Sequence, residues 1–270
     1  MKELLIRSVS GLVMGLVLLC SVWLSPWAYA AVLLFIVFVG TSEMSKLMQT
    51  NAPFDLIMGE AFSIVSFVLA ALVALGVVPM KWLSLELLFL VLPFLYALFS
   101  KTKDAKHVLT YVYASLFFLC LPSAMMLFMF WPEWFGDMAG KGVIILIYCL
   151  LWSNDIFAYL TGRLLGKHKL FPRISPGKTI EGSIGGLLFT VIAVAIFSHY
   201  AEWLSLPAAV GMAAIAVVFG TLGDLSESML KRQAGVKDSG KLIPGHGGIL
   251  DRFDSVMFSV PFIFVYLLLL

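Results

Sequence analysis

The chain has 270 residues, is 61% hydrophobic and 13% charged, and carries a net charge of +2 with a mean hydropathy of +1.01. A soluble domain holds roughly 45–50% apolar and about 25% charged residues, so these figures exclude a water-soluble globular enzyme, and no nucleic-acid partner is expected. The apolar runs are long and continuous rather than alternating, which selects helices over strands inside lipid. The expected fold is therefore all-α, a polytopic integral membrane protein surrounded by membrane lipid. Cys20, Cys120 and Cys149 lie far apart within apolar runs and have no metal-ligand spacing, so they read as small packing residues.

Nine transmembrane helices are expected, over 5–25, 28–48, 58–78, 82–100, 108–130, 143–165, 180–200, 206–230 and 252–270. Lys2 and Arg7 before an apolar run, with Ala-Tyr-Ala at 28–30, resemble a signal peptide, but the run is long enough to span and is read as a retained first helix. Residues 1–140 form a scaffold of five spans. Residues 141–270 form a catalytic region of spans six to nine with two long, glycine-rich, basic loops, 166–179 and 231–251. With nine spans, every Lys and Arg except Lys81 and Lys141 falls on the N-terminal side. That bias places the N-terminus and both long loops in the cytoplasm.

Span six carries Asn154 and Asp155 deep in its apolar run, with Tyr159 and Arg163 one and two turns beyond Asp155 on the same face. A carboxylate within a membrane is costly and faces a cavity, a partner or an ion; the plainer reading is an Asp155–Arg163 stripe joining two helices. The next stretch, ISPGKTIEGSIGG, turns at Pro176–Gly177, and Thr179 caps the helix that follows. Free N–H groups at that helix start, with Lys178 beside them, suit an anion; the plainer reading is an ordinary cytoplasmic turn with glycines for helix packing. No strand is expected before this helix and the spacing is not that of a Walker A loop. Span eight ends in a polar stripe of Asp224, Glu227, Ser228 and Lys231, and span nine begins with Asp251, Asp254 and Ser255 on one face. Lys178 sits in a loop separate from these stripes. Carboxylates gathered at one depth repel unless a cation joins them, and hard oxygen ligands suit Mg²⁺; the plainer reading is Asp–Lys/Arg pairing at the interface, which Arg232 and Arg252 are placed to supply. His246, between glycines, either holds its loop or approaches a phosphate.

Ser228 to Asp254, SMLKRQAGVKDSGKLIPGHGGILDRFD, resembles the signature of the phosphatidate cytidylyltransferases, also called CDP-diglyceride synthetases. That signature has a serine, Lys-Arg, Lys-Asp four residues later, a small and an apolar residue, His-Gly-Gly, and Asp-Arg-x-Asp. Ser228, Lys231, Arg232, Lys237, Asp238, Gly240, Ile243, Pro244, His246, Gly247, Gly248, Asp251, Arg252 and Asp254 meet every constrained position. Asn154–Gly162 and Ile174–Gly182 also resemble upstream segments of that family, so the likeness covers residues 150–255, while the first 140 match only as generic spans. The resemblance implies the reaction of CTP with phosphatidate to give CDP-diacylglycerol and pyrophosphate in phospholipid biosynthesis. It also implies Mg²⁺ on Asp224 and Asp251, with room for a second cation, a homodimer, and a bacterial inner membrane with the active site facing the cytoplasm.

On this reading a phosphatidate oxygen attacks the α-phosphorus of CTP in line, and charge neutralisation carries most of the catalysis. Lys178, Lys231, Lys237, Arg232 and Arg252 hold phosphates; Asp254 and His246 join the catalytic set, and Asp155, Ser175, Thr179, Ser228 and Asp238 the substrate-binding set. Three rivals are weaker. A secondary transporter predicts internal repeats and access from both faces, and there are none, with charge on one face. A CDP-alcohol phosphotransferase shares only Asp251-x-x-Asp254 and lacks the upstream Asp-Gly-x-x-Ala-Arg. A purely structural membrane subunit does not need so dense a set of carboxylates.

Overall fold

The computed structural model describes residues 2–100, 105–135 and 140–270, with side chains at Ile6 and from Ser8 onward within those limits. The charges of Lys2, Arg7, Lys101 and Lys103, used above for orientation, lie outside the described residues. The chain runs through α1 (Lys2–Leu24), α2 (Pro26–Leu47), α3 (Pro53–Ala74), a 3₁₀ segment (Met80–Leu90), α4 (Leu92–Phe99), α5 (Ala105–Ser115), a π turn (Leu116–Cys120), α6 (Leu121–Phe128) and the short α7 (Pro132–Phe135). It continues through α8 (Lys141–Leu165), β1 (Lys169–Phe171), β2 (Ser175–Thr179), α9 (Ile180–Tyr200), α10 (Leu206–Gln233) and α11 (Leu250–Leu268).

The all-α, polytopic character holds. Among the described residues seven helical segments are long and apolar enough to cross a membrane: Pro26–Leu47, Pro53–Ala74, Met80–Phe99, Ala105–Phe128, Lys141–Leu165, Ile180–Tyr200 and Leu206–Gln233. The last of the nine expected spans falls short of that measure, while the opening side chains of the first lie outside the described residues. α1 contributes the apolar stretch Ser8–Leu24, and α11 opens on Asp251, Arg252 and Asp254, leaving only Ser255–Leu268 as its apolar part. One expectation is corrected: a strand does precede α9. β1 and β2 form an antiparallel ribbon pairing Lys169 with Thr179 and Phe171 with Ser175.

Helix starts follow local chemistry. Ser25 accepts a hydrogen bond from the Ala28 amide at 3.1 Å ahead of Pro26, whose missing N–H costs nothing in the first turn. The fifth expected span is interrupted by the π turn at 116–120 just before Pro122, whose ring cannot pack against a regular preceding turn.

Two compact units are present. The first comprises Met1–Phe128 with Leu230–Phe253, the second Met129–Met229 with Asp254–Leu270. The sequence division at 140/141 keeps the signature segment with the C-terminal half, whereas the contacts group Leu230–Phe253 with the N-terminal helices. In the first unit Tyr29, Leu33, Tyr111 and Leu119 are fully buried, the Tyr29 hydroxyl donates to Met126 Sδ at 3.2 Å, and Gly40 lets α2 approach Leu119 and Leu250. In the second, α8 and α9 lie close because Gly185 faces Thr161 and Gly186 faces Asn154, where a Cβ would overlap either side chain. Small residues are how helices pack tightly in lipid, where no hydrophobic force drives them together. Phe219 and Phe262 stack with centroids 3.6 Å apart, joining the second unit's parts of α10 and α11.

Candidate active site

The signature segment is built in the first unit. α10 ends at Gly235, at φ +73°, with Ala234 and Val236 amides closing on the Leu230 and Lys231 carbonyls. Ile243-Pro244-Gly245-His246 then makes a tight turn in which the His246 amide donates to the Ile243 carbonyl at 2.9 Å. Proline at the second position and glycine at φ +75° in the third are what a type II turn requires. His246 follows, and its Nδ1 lies 2.7 Å from the Ser10 hydroxyl of α1, which in turn donates to the Pro244 carbonyl at 3.0 Å. The histidine thus holds its loop while also lining the cleft described below.

Asp251, in the first turn of α11, organises the loop. Its Oδ1 takes Lys231 Nζ at 2.5 Å, and its Oδ2 takes the Ser239 amide at 2.9 Å, the Ser239 hydroxyl at 3.0 Å and the Gly248 amide at 2.7 Å. Burial works to raise this carboxyl's pKa, but the Lys231 ammonium and the two backbone N–H groups outweigh it, and the net shift is downward. The pair is buried, with side chains 10% and 4% exposed.

A residue that the sequence reading passed over completes this arrangement. Glu43 of α2 is 3% exposed and accepts from the Ser239 hydroxyl at 2.8 Å, the Ile249 amide at 3.1 Å and the Leu250 amide at 3.0 Å. It caps α11 from a different helix, supplying acceptors for N–H groups that a helix start leaves open. Gly240 and Gly248 are glycine because a Cβ at either would fall on the Glu43 carboxylate. The available signal was an acidic residue within the expected second span, though among small polar neighbours near its end.

These contacts leave a basic cleft of about 540 Å³ lined by Lys237, Asp238, Lys241, His246 and Arg252 with backbone between them. Arg232, also expected at the phosphates, donates from Nη1 to the Val236 carbonyl at 3.1 Å.

In the second unit Lys178 forms an ion pair with Asp224 at 2.5 Å, with side chains 28% and 33% exposed, and Ser228 donates to Asp224 at 3.2 Å. The expectation that Lys178 stands apart from the aspartate stripes is therefore corrected: β2 carries it back onto α10. Among the described residues Asp224 pairs with Lys178 and Asp251 with Lys231, so the plainer Asp–Lys/Arg pairing is present at both, with lysines whose flexible stems reach the carboxylates as the partners. The free N–H groups expected at the start of α9 are also partly used. Thr179 Oγ1 takes the Gly182 amide at 3.1 Å, and the Ile180 amide donates to the His168 carbonyl at 2.9 Å. Glu181, in the first turn, accepts the Lys167 and His168 amides at 3.1 and 3.2 Å.

Lys178 lines a cavity of about 410 Å³ with Asn154, Asp155, Tyr159, Arg163 and Thr179. The shared face of Asp155, Tyr159 and Arg163 is confirmed by this lining, with Arg163 Nη1 3.5 Å from the Tyr159 hydroxyl. Ser175 lies in β2 opposite Phe171. Asp254 is buried in the second unit, its Oδ1 accepting the Ser255 amide at 2.5 Å. Asp251, Lys231, Lys237, Asp238 and His246 are thus gathered in one unit, and Asp155, Lys178, Thr179, Asp224 and Ser228 in the other.

For magnesium the donor chemistry fits in part. Asp224 offers a half-exposed carboxylate beside the Ser228 hydroxyl, a hard-oxygen pair of the kind Mg²⁺ uses with phosphate oxygens and water. At Asp251 three donors occupy Oδ2, and Oδ1 accepts Lys231 Nζ. Among the described residues no group of three or more His, Cys, Asp or Glu side chains forms a ready-made metal cage.

The sequence profile described as the cytidylyltransferase family matches residues 5–270. This chain belongs to the cytidylyltransferase family. It is similar to proteins named phosphatidate cytidylyltransferase from Staphylococcus aureus (strain COL), 46% identical over 142 residues that cover 52% of this chain and 54% of the relative. The one from Staphylococcus haemolyticus (strain JCSC1435) is 48% identical over 134 residues, covering 48% and 50%. The matched stretch spans about half the length of these curated relatives. Membership and a basic, carboxylate-bearing site on helix ends agree with a transferase that works at a membrane.

Proposed function

We propose that this chain is a CTP:phosphatidate cytidylyltransferase, a nucleotidyltransferase that makes CDP-diacylglycerol and pyrophosphate. The observation that carries the reading is the signature segment folded as a basic cleft, with Asp251 and Glu43 fixing its backbone from below. The names of the relatives support the choice of substrates. A phosphatidate oxygen attacks the α-phosphorus of CTP; the new O–P bond forms as the bond to the β-phosphate oxygen breaks, and pyrophosphate leaves. The attacking phosphate is already ionised near neutral pH, so no general base is needed. The chain's own work is to bring two anions together and hold them in line. Lys237, Lys241 and Arg252 supply charge along the cleft, and Lys178, at the head of α9 beside the cavity of Asp155, suits a triphosphate. Magnesium, when bound, would neutralise phosphate oxygens; the resemblance assigns it to Asp224, which here pairs with Lys178, and to Asp251, which here pairs with Lys231.

The distribution of Lys and Arg supports this site facing the cytoplasm, and a bacterial inner membrane is carried over from the resemblance. A homodimer is carried over from the resemblance alone. The test is reconstitution of the full chain into phosphatidylcholine vesicles with phosphatidate and CTP. Lipid-linked CMP and an equal amount of pyrophosphate are expected, dependent on Mg²⁺. Absence of product from folded protein, or transfer of CMP to water alone, overturns the proposal.

A further inference from the structure

Beneath the 242–246 turn the first unit contains an almost wholly apolar groove of about 540 Å³ between α1 and α2. Val9, Val13 and Val17, one turn apart on α1, form one wall over about 12 Å. Val32 and Phe35 of α2 form the other, and Leu242, Ile243 and Pro244 close the end. Val9, Val13, Val17 and Phe35 are about half exposed, so the groove is open along its length to whatever surrounds α1 and α2. Ile243 and Pro244 also line the basic cleft, so the apolar and the cationic spaces share one turn as a common wall. Ser10 lines the groove and hydrogen-bonds both His246 and Pro244, which fixes that wall in place.

We propose that this groove seats one acyl chain of the phosphatidate substrate, with the phosphate in the cleft of Lys237, Lys241 and Arg252. The assignment rests on the proposed activity for the identity of the lipid. The argument is complementarity at both ends. A groove with so little polar surface takes a hydrocarbon chain, and three cations within one cleft take an anionic head. A single molecule that has both, joined across one turn, is a lipid carrying a phosphate. Bulk lipid also fills a membrane-facing groove, but without preference for its headgroup. That preference is what the test reads.

The full chain is placed in phosphatidylcholine vesicles containing a small fraction of phosphatidate with a photoactivatable diazirine near the end of one acyl chain, without CTP, and adducts are mapped after irradiation. Adducts concentrated on Val9–Val17 and Val32–Phe35, suppressed by excess dioleoyl phosphatidate and not by extra phosphatidylcholine, are expected. Adducts spread evenly over α1 and α3, or equal suppression by both lipids, overturn the seat. This needs no turnover, so a chain that labels as expected yet makes no CDP-diacylglycerol refutes the activity and keeps the seat. A kinetic arm uses Val13→Trp, with Val65→Trp on the exposed face of α3 as control. Val13→Trp is expected to raise KM for dioleoyl phosphatidate at least fivefold while sparing KM for CTP and turnover of dihexanoyl phosphatidate. An equal effect on long and short chains, or none on either in folded protein, refutes the seat.

Discussion

Replacing Glu43 by alanine removes the acceptor for the Ile249 and Leu250 amides and one of two acceptors for the Ser239 hydroxyl. The hydroxyl keeps Asp251 at 3.0 Å. The two amides sit at buried positions, and each buried donor left without a partner costs about 1–3 kcal/mol. The expected loss is therefore about 2–6 kcal/mol, concentrated at the head of α11 rather than spread over the protein. Glu43→Gln keeps one oxygen and turns an NH₂ toward the remaining donors, so about half that loss is expected. Hydrogen–deuterium exchange in lipid nanodiscs reads this directly. Amides 249 and 250 should exchange at least about thirtyfold faster in the alanine variant, with the glutamine variant between, and α3 amides unchanged. Turnover should fall in the same order, because Gly248 and Ser239 both position Asp251. Unchanged protection at 249 and 250 in a folded Glu43→Ala protein would falsify the capping role.

Asp224→Asn and Asp251→Asn keep shape and remove charge; each should abolish nearly all turnover in protein that still inserts, and near-normal activity in either removes that residue from the metal assignment. Lys178→Met loses a charge-assisted contact worth roughly 1.5–3 kcal/mol and should raise KM for CTP more than KM for phosphatidate, whereas Arg252→Met should act on kcat; a raised KM for phosphatidate alone would mean the two phosphate sites are exchanged. In a background with Cys20, Cys120 and Cys149 replaced by alanine, cysteines at Lys169 and Lys241 should label from the cytoplasmic side and one at Lys141 from outside, and the reverse pattern defeats the orientation.

Much of the site was legible because its parts are local. Pro244-Gly245 announces its turn, Thr179 its cap, and the i, i+4 spacing of Asp224 and Ser228 their hydrogen bond. What escaped depends on residues far apart in the chain. Nothing in ISPGKT says that a two-stranded ribbon will fold Lys178 back onto Asp224, since the ribbon is short and its strand propensity weak. Glu43 was hidden differently, among the small polar residues Thr41, Ser42 and Ser45 near the end of a span, where it reads as the edge of the membrane. Its partners lie 196 to 207 residues later. The ninth span is marked less plainly, because α11 places Asp251, Arg252 and Asp254 among its opening residues.

The separation between Glu43 and its partners sets a timetable for biogenesis. At about 5–20 residues synthesised per second, α2 emerges roughly 10–40 s before Ser239 exists. Throughout that interval the nascent helix carries an acidic side chain whose final partners have not been translated. The insertion machinery, a neighbouring headgroup or a proton must accommodate it until then. Ribosome stalling or premature termination before codon 239 leaves that carboxyl without its lock, a ready mark by which membrane proteases could sort unfinished chains from finished ones.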